Sequence, residues 1–193
     1  MEISSKKELR QIYKARRAQL GHDNRLLLSA EITRQVLAFL SERETLRHIH
    51  LFLPIDKFHE IDTYPLIDAL QKQGKNVYTS VTDPMTGQMK TVKLVSGGEI
   101  GLDAWGIPVP VVREEVLDAL LQVVFLPLLA YDLNGHRIGY GKGMYDRFAA
   151  QLSHGVLKVG LSFFPPETSI PSEKHDVRLD FCINPEGVIS FKH

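Results

Sequence analysis

Three observations predict an α/β fold, a three-layer sandwich in which helices cover a mostly parallel mixed sheet. Short apolar runs alternate with amphipathic segments along the chain, the pattern of strands joined by crossover helices. Several of those runs, such as Val123-Val124-Phe125-Leu126, are apolar throughout, which suits strands buried on both faces. The chain has 193 residues, 44% hydrophobic and 24% charged, enough for one sizeable core. It contains no repeat, low-complexity tract or linker, so residues 1–193 read as a single domain.

Each element has its own signal. Ser5 and Glu8 have capping-box spacing and open a short helix with the stripe Leu9, Ile12, Tyr13 and Leu20. Asp23 is placed to cap a second helix carried by Leu27, Ala30, Val36, Leu37 and Leu40. Ile49 to Leu53 is a buried strand stopped by Pro54. A helix follows from about Thr63, with Pro65 in its first turn, Leu66, Ile67 and Leu70 inside, and Gly74 as its stop. Val77, Tyr78 and Val81 mark the next strand, Asp83 to Gly87 a turn, and Met89 to Val95 the returning strand. Gly97-Gly98 and Trp105 to Pro110 read as loop, because proline cannot donate to a sheet ladder. Glu114 to Leu121 reads as a short helix and Val123 to Leu126 as a strand, followed by a long loop. The rest is a helix from about Met144 to Leu152, a strand from Val156 to Leu161 and a hairpin turning at Asn184 to Gly187.

Composition excludes several classes. The 23 basic and 23 acidic residues cancel, which disfavours a nucleic-acid partner, and no RNA-binding aromatic motif is present. No run approaches the ~20 apolar residues that span a bilayer, so no membrane partner is expected. A lone cysteine, Cys182, leaves no internal disulfide and fits a reducing compartment, so a cytoplasmic location is expected. The neutral total hides local imbalance. Residues 1–20 carry six basic and two acidic side chains, and residues 134–147 three and one, whereas residues 56–68 carry one and four.

Residues 135–143, Gly-His-Arg-Ile-Gly-Tyr-Gly-Lys-Gly, concentrate four of the 14 glycines in nine positions. Glycine lets a backbone turn sharply and approach a ligand, and loop amides at a helix start form an anion site. Arg137, Lys142 and Arg147 add positive charge, and phosphate is the expected anion. The spacing is neither the P-loop pattern, since Lys142 is followed by Gly143, nor the dinucleotide fingerprint, which would need glycine at Met144. Asp146, just inside the helix, suits the positive end of the helix dipole or a Mg²⁺ held near phosphates. Asp180 has no motif of its own. His48 and His50 share a strand face without a third ligand at metal spacing, so they read as strand neighbours. Lys14, Arg16 and Arg17 are assigned to solvent.

The segment Gly135 to Arg147 resembles the signature of the 5-formyltetrahydrofolate cyclo-ligase family. Lys6 to Arg10, Phe52-Leu53-Pro54 with Glu60 to Thr63, Trp105 to Pro108, and Asp176 to Asp180 are similar to further family elements in the same order. Met144 stands where the family commonly has an aromatic residue, and an insertion separates Pro54 from Glu60. The resemblance implies the layering of CoA-transferases and phosphosugar isomerases. It also implies ATP-driven closure of 5-formyltetrahydrofolate to 5,10-methenyltetrahydrofolate, with ADP and phosphate released, by a monomer acting on ATP and a reduced folate. Carried over, ATP would meet Lys6, Arg10, Arg137 and residues Gly139, Tyr140, Gly141, Lys142, Gly143, Met144 and Tyr145. The folate would meet Ile55, Glu60 and the loop from Tyr140 to Met144, and Trp105 and Phe58 could wall the flat ring. Mg²⁺ would be held by Asp146 and Asp180. Lys142, Arg137 and Tyr145 would carry the catalytic charge. Two other readings stay open: an isomerase or CoA-transferase-like enzyme that turns over without ATP, and a module that binds ATP without consuming it.

Overall fold

A computed structural model describes residues 5–173 and 176–191. Its seven-stranded sheet has the order β11-β10-β9-β6-β1-β2-β3. Here β1 is His48–His50, β2 Asn76–Thr82, β3 Met89–Lys93, β6 Val123–Pro127, β9 Leu157–Leu161, β10 Phe181–Asn184 and β11 Gly187–Ser190. The five inner strands are parallel, and β3 and β11 pair antiparallel at the two edges. Two small sheets, β4 (Ile100–Leu102) with β5 (Pro108–Pro110) and β7 (Ala130–Tyr131) with β8 (Arg137–Ile138), lie in the connections. The helices are α1 (Lys6–Gln19), α2 (His22–Ser41), α3 (Tyr64–Lys72) and α4 (Met144–Gln151).

The continuous apolar runs are buried on both faces, as expected. In β6, Val123 and Phe125 join the core that holds Leu9, Val36 and Leu70 of α1, α2 and α3. Val124 and Leu126 face the opposite core with Phe148 of α4 and Cys182 of β10. Helices thus cover both sides of the sheet, and the strand alternation decides which side chain goes where.

Helix ends are set locally. Ser5 Oγ accepts the Glu8 amide at 3.2 Å at the start of α1. At the end of α3 the Gly74 amide donates to Gln71 and the Lys75 amide to Leu70, both at 3.0 Å, a Schellman stop with Gly74 at φ 73°. Helix α2 differs from expectation. Its N-cap is Gly21 without a side-chain bond, and Asp23 lies in the first turn, where it suits the helix dipole. Leu27 is exposed, and the buried stripe runs through Ser29, Ile32, Val36, Phe39 and Leu40.

Three segments expected to be irregular or helical are otherwise. Pro108 and Pro110 sit in a strand, opposite Leu102 and Ile100. Bonds from Val111 to Glu99 and from Asp103 to Ile107 fix the alternation, so both prolines fall at non-hydrogen-bonded pairs, where a missing N–H costs nothing. Residues 114–116 run along β3, and only Asp118–Leu120 forms a 3-10 turn in place of the expected helix. The long loop after β6 holds the β7–β8 hairpin.

His48 and His50 are strand neighbours, as the sequence suggested. His48 Nδ1 meets the Tyr78 hydroxyl at 2.8 Å, and His50 Nε2 meets Ser80 Oγ at 2.7 Å. His50 is fully buried against Phe148, and burial pushes its pKa down to about 3. The unfolded chain takes up this proton near pH 6.5 and the folded chain does not. Stability is therefore present above pH 6.5 and lost as pH falls from there toward 3, by about 2 kcal/mol at pH 5. Urea unfolding at pH 7.5 and 5.0 checks this: His50→Gln should lose that much less between the two pH values than the wild type. Equal losses would contradict it.

Candidate active site

The loops leaving the carboxyl ends of β1 and β6 carry the candidate residues, where ligands bind in open α/β sheets. After β1 the chain makes a 3-10 turn, Asp56–Phe58, and then His59 adopts the left-handed conformation at φ 50°. His59 is the one non-glycine residue with positive φ among the described residues, a strain that histidine tolerates better than most. Glu60 follows and is buried, 8% exposed, with Oε2 accepting the Ile55 amide at 2.9 Å. The Ile55 backbone thus serves Glu60, and its side chain is half-buried.

After β6, the β7–β8 hairpin leads into the glycine loop. Its first half is not the open phosphate loop the composition suggested. Gly135 turns the hairpin, and Arg137 and Ile138 are buried strand residues. Arg137 Nη1 donates to the Val177 carbonyl, and Nη2 pairs with Asp146 Oδ1 at 2.7 Å. Its side chain is 3% exposed, and through Asp146 it braces the start of α4. Burial pushes its pKa down, against the charges of Asp146 and Asp176. In the second half, residues 139–143, Gly141 and Lys142 are exposed; Gly141 and Gly143 have φ 95° and 64°, and Lys142 has no side-chain partner among the described residues. Gly143 is the N-cap of α4 with no side-chain bond, leaving the first helix amides free of a capping group. Met144 and Tyr145 are half-buried, and Tyr145 packs into both cores, a bracing rather than a reacting position.

Helix α1 ties these loops together. Arg10 Nε donates to the Gly139 carbonyl at 3.0 Å, and its guanidinium lies 3.1 Å from where a Cβ on Gly141 would sit. Arg17, assigned to solvent on composition, is 2% exposed. It donates through Nη1 to the Tyr140 hydroxyl at 2.6 Å and through Nη2 to the Leu128 carbonyl. The Glu60 carboxylate lies close to the Tyr140 hydroxyl, and burial and the Glu60 charge push the hydroxyl's pKa up. Glu60 is likewise raised, by burial, against the lowering effects of the Ile55 amide, Tyr140 and Arg17. The Tyr140 ring stacks on Phe58 with centroids 4.8 Å apart. The signal for Arg17 was present in the sequence: Leu9, Tyr13 and Arg17 recur every four residues on one helix face.

Other candidates lie elsewhere. Lys6 is held by Asp176 at 2.6 Å and Glu173 at 3.3 Å, so it anchors α1 to these two carboxylates. Asp180 accepts the Lys158 amide at 2.7 Å just before β10, whereas Asp146 pairs with Arg137. Among the described residues no cluster of three His, Cys, Asp or Glu side chains could hold a metal ion. Trp105 is half exposed on the hairpin tip, and its carbonyl accepts from Lys57 at 2.9 Å, which brings that tip beside Phe58. Glu60 also lines a cavity of about 140 Å³ against α2. A larger cavity of about 240 Å³, between α3 and Gly97-Gly98, lies outside the candidate residues.

Comparison with known proteins agrees with the geometry. A model described as the 5-formyltetrahydrofolate cyclo-ligase family matches residues 2–185. The 5-formyltetrahydrofolate cyclo-ligase of Mus musculus is 32% identical over 191 residues, 92% of each chain. That of Mycoplasma genitalium is 27% identical over 179 residues, 92% of this chain and 96% of its own. Among solved structures, Aquifex aeolicus 5,10-methenyltetrahydrofolate synthetase matches with a TM-score of 0.83 at 28% identity, over 97% of this chain and 93% of that one. A 5,10-methenyltetrahydrofolate synthetase from Mycoplasma pneumoniae repeats the fold, with a TM-score of 0.78 at 21% identity over 95% of this chain and all of that one.

Proposed function

The chain belongs to the 5-formyltetrahydrofolate cyclo-ligase family, and from that premise we propose how its residues perform the family reaction. The reaction is the ATP-dependent conversion of 5-formyltetrahydrofolate to 5,10-methenyltetrahydrofolate. Its chemical difficulty is the formyl oxygen, which is amide-like and a poor leaving group. In the proposed route this oxygen attacks the γ-phosphorus and ADP leaves. The folate N10 then attacks the activated formyl carbon, loses its proton, and the formyl oxygen departs as part of inorganic phosphate. No protein nucleophile is needed, so the protein's work is alignment and charge stabilisation.

The second half of the glycine loop, Gly139 to Gly143, takes the triphosphate on its amides and on the uncapped amides at the start of α4, with Lys142 and Arg10 as cations. Glu60 pairs with adjacent N–H donors of the pterin, and Phe58, Tyr140 and Trp105 lie where a flat ring would rest. Lys6, Arg137 and Tyr145 are left out of the reacting set because their side chains are engaged in bracing. Asp146 fits as one protein oxygen ligand for a Mg²⁺ carried by the nucleotide: it is partly exposed beside the loop, and Arg137 orients it. When bound, that ion would neutralise phosphate charge. Asp180 is left out of this set: it sits just before β10, where its carboxylate accepts the Lys158 amide and faces the Lys158 ammonium at 3.8 Å. The enzyme in this reading acts as a monomer in the cytoplasm; its single buried thiol supports the reducing compartment.

The observation that carries this reading is the pair of α1 contacts, Arg10 to Gly139 and Arg17 to Tyr140, which set the phosphate-type loop beside a buried carboxylate. Appearance of the methenyl chromophore from 5-formyltetrahydrofolate is the test. It should require ATP and Mg²⁺. Turnover without ATP, or ATP binding without product, would overturn the reading.

A further inference from the structure

Arg17 has features that packing alone does not require. A buried guanidinium is costly unless it is fully bonded, and a methionine would fill the same space. Arg17 nevertheless lies 2% exposed with its Nε unpartnered, and its two bonds go to neutral groups, the Tyr140 hydroxyl and the Leu128 carbonyl. Its counter-charge is Glu60, on the far side of the Tyr140 hydroxyl. Arg17 thus donates to a Tyr140 hydroxyl that itself lies within reach of the Glu60 charge. Leu128 directly follows β6, so the same fork also ties α1 to the end of the central strand.

Arg10 and Arg17 lie two turns apart on α1, about 10.5 Å along the axis. Arg10 holds the glycine loop by its backbone at Gly139, and Arg17 holds the tip of the Tyr140 side chain from the same loop. Phe58 fixes the ring of Tyr140 from the folate side. We propose that Arg17 is a positioning residue for the folate side of the reaction: by holding the Tyr140 hydroxyl against Glu60 it sets the folate anchor in register with the phosphate loop. The inference rests on the reading of Glu60 as the pterin anchor.

The test is steady-state kinetics of the full chain for wild type, Tyr140→Phe, Arg17→Lys and the double variant, with KM measured separately for folate and ATP. Lysine keeps the charge but loses the planar fork that serves Tyr140 and Leu128 together. Each single variant should raise the folate KM by roughly 10-fold, as expected for a lost hydrogen bond to a charged network, with the ATP KM within about twofold. The double variant should be no worse than the worse single, since both changes break one chain. A parallel rise in both KM values, or effects that multiply, would overturn the proposal. Tyr140→Phe keeps the ring stack, so if Arg17→Lys fails to fold, the Tyr140→Phe selectivity decides alone. Glu60→Gln separates the two ideas. An unchanged folate KM in Glu60→Gln would refute the anchor; a raised one, with wild-type values in Tyr140→Phe and Arg17→Lys, would refute only the role of Arg17.

Discussion

Lys142→Ala lowers kcat on the order of 10²-fold, while the unfolding temperature stays at the wild-type value. The two halves of this expectation come from different facts. Lys142 is exposed and has no side-chain partner among the described residues, so its removal breaks no contact of the folded protein. In the proposed reading, its place between Gly141 and Gly143, just before the start of α4, sets the ammonium where the γ-phosphate charge redistributes. Removing one preorganised donor from a developing anion typically costs 10²–10³ in rate. Because that charge shifts most in the transition state, kcat should fall more than ATP affinity. Near wild-type kcat would remove Lys142 from the mechanism. A lowered melting temperature would instead assign it a structural role.

Gly135→Ala, eight residues from the phosphate loop's last glycine, has the opposite signature. It should destabilise the fold by about 2–4 kcal/mol and leave the residual folded enzyme with wild-type substrate KM values. Gly135 sits at φ 79°, where an L side chain is strained. An added Cβ would also lie 2.9 Å from the Leu179 carbonyl and 3.0 Å from the Phe191 ring. The carbonyl cannot yield, because Gly135 and Leu179 share a backbone hydrogen bond of 2.9 Å that docks the hairpin on the segment leading into β10. Urea unfolding with kinetics on the folded fraction measures both. Unchanged stability with a raised ATP KM would restore Gly135 to the nucleotide loop.

That contrast shows where sequence reasoning stops. The cluster of glycines between 135 and 143 is visible in the sequence, but their division of labour is not. Strands β7 and β8 are two residues each, too short for any periodicity to register, so Gly135 and Arg137 read as ligand loop when they belong to a hairpin. Arg137 and Asp146 are nine residues apart, and only the turn between β8 and α4 makes them a pair. Proline punctuation misled at β5 because the rule concerns hydrogen-bonded positions, and register is a tertiary property. By contrast the central strand β6, apolar throughout, and the Gly74 helix stop were legible, since each is decided within a few residues. Glu60 came from the resemblance; its burial depends on the left-handed turn at His59, which no local preference announces.

The neutral net charge likewise resolves into placement. The basic α1 face puts Arg10 on the loop backbone and Arg17 beneath Tyr140, against the acidic segment that contributes Glu60. The account therefore depends on one event between those poles, transfer of a phosphoryl group to the formyl oxygen. Following that oxygen tests it most directly. With 5-formyltetrahydrofolate labelled by ¹⁸O in the formyl group, one turnover with unlabelled ATP should deliver the label to inorganic phosphate, read by mass spectrometry. Label released into water, with unlabelled phosphate, would contradict the account.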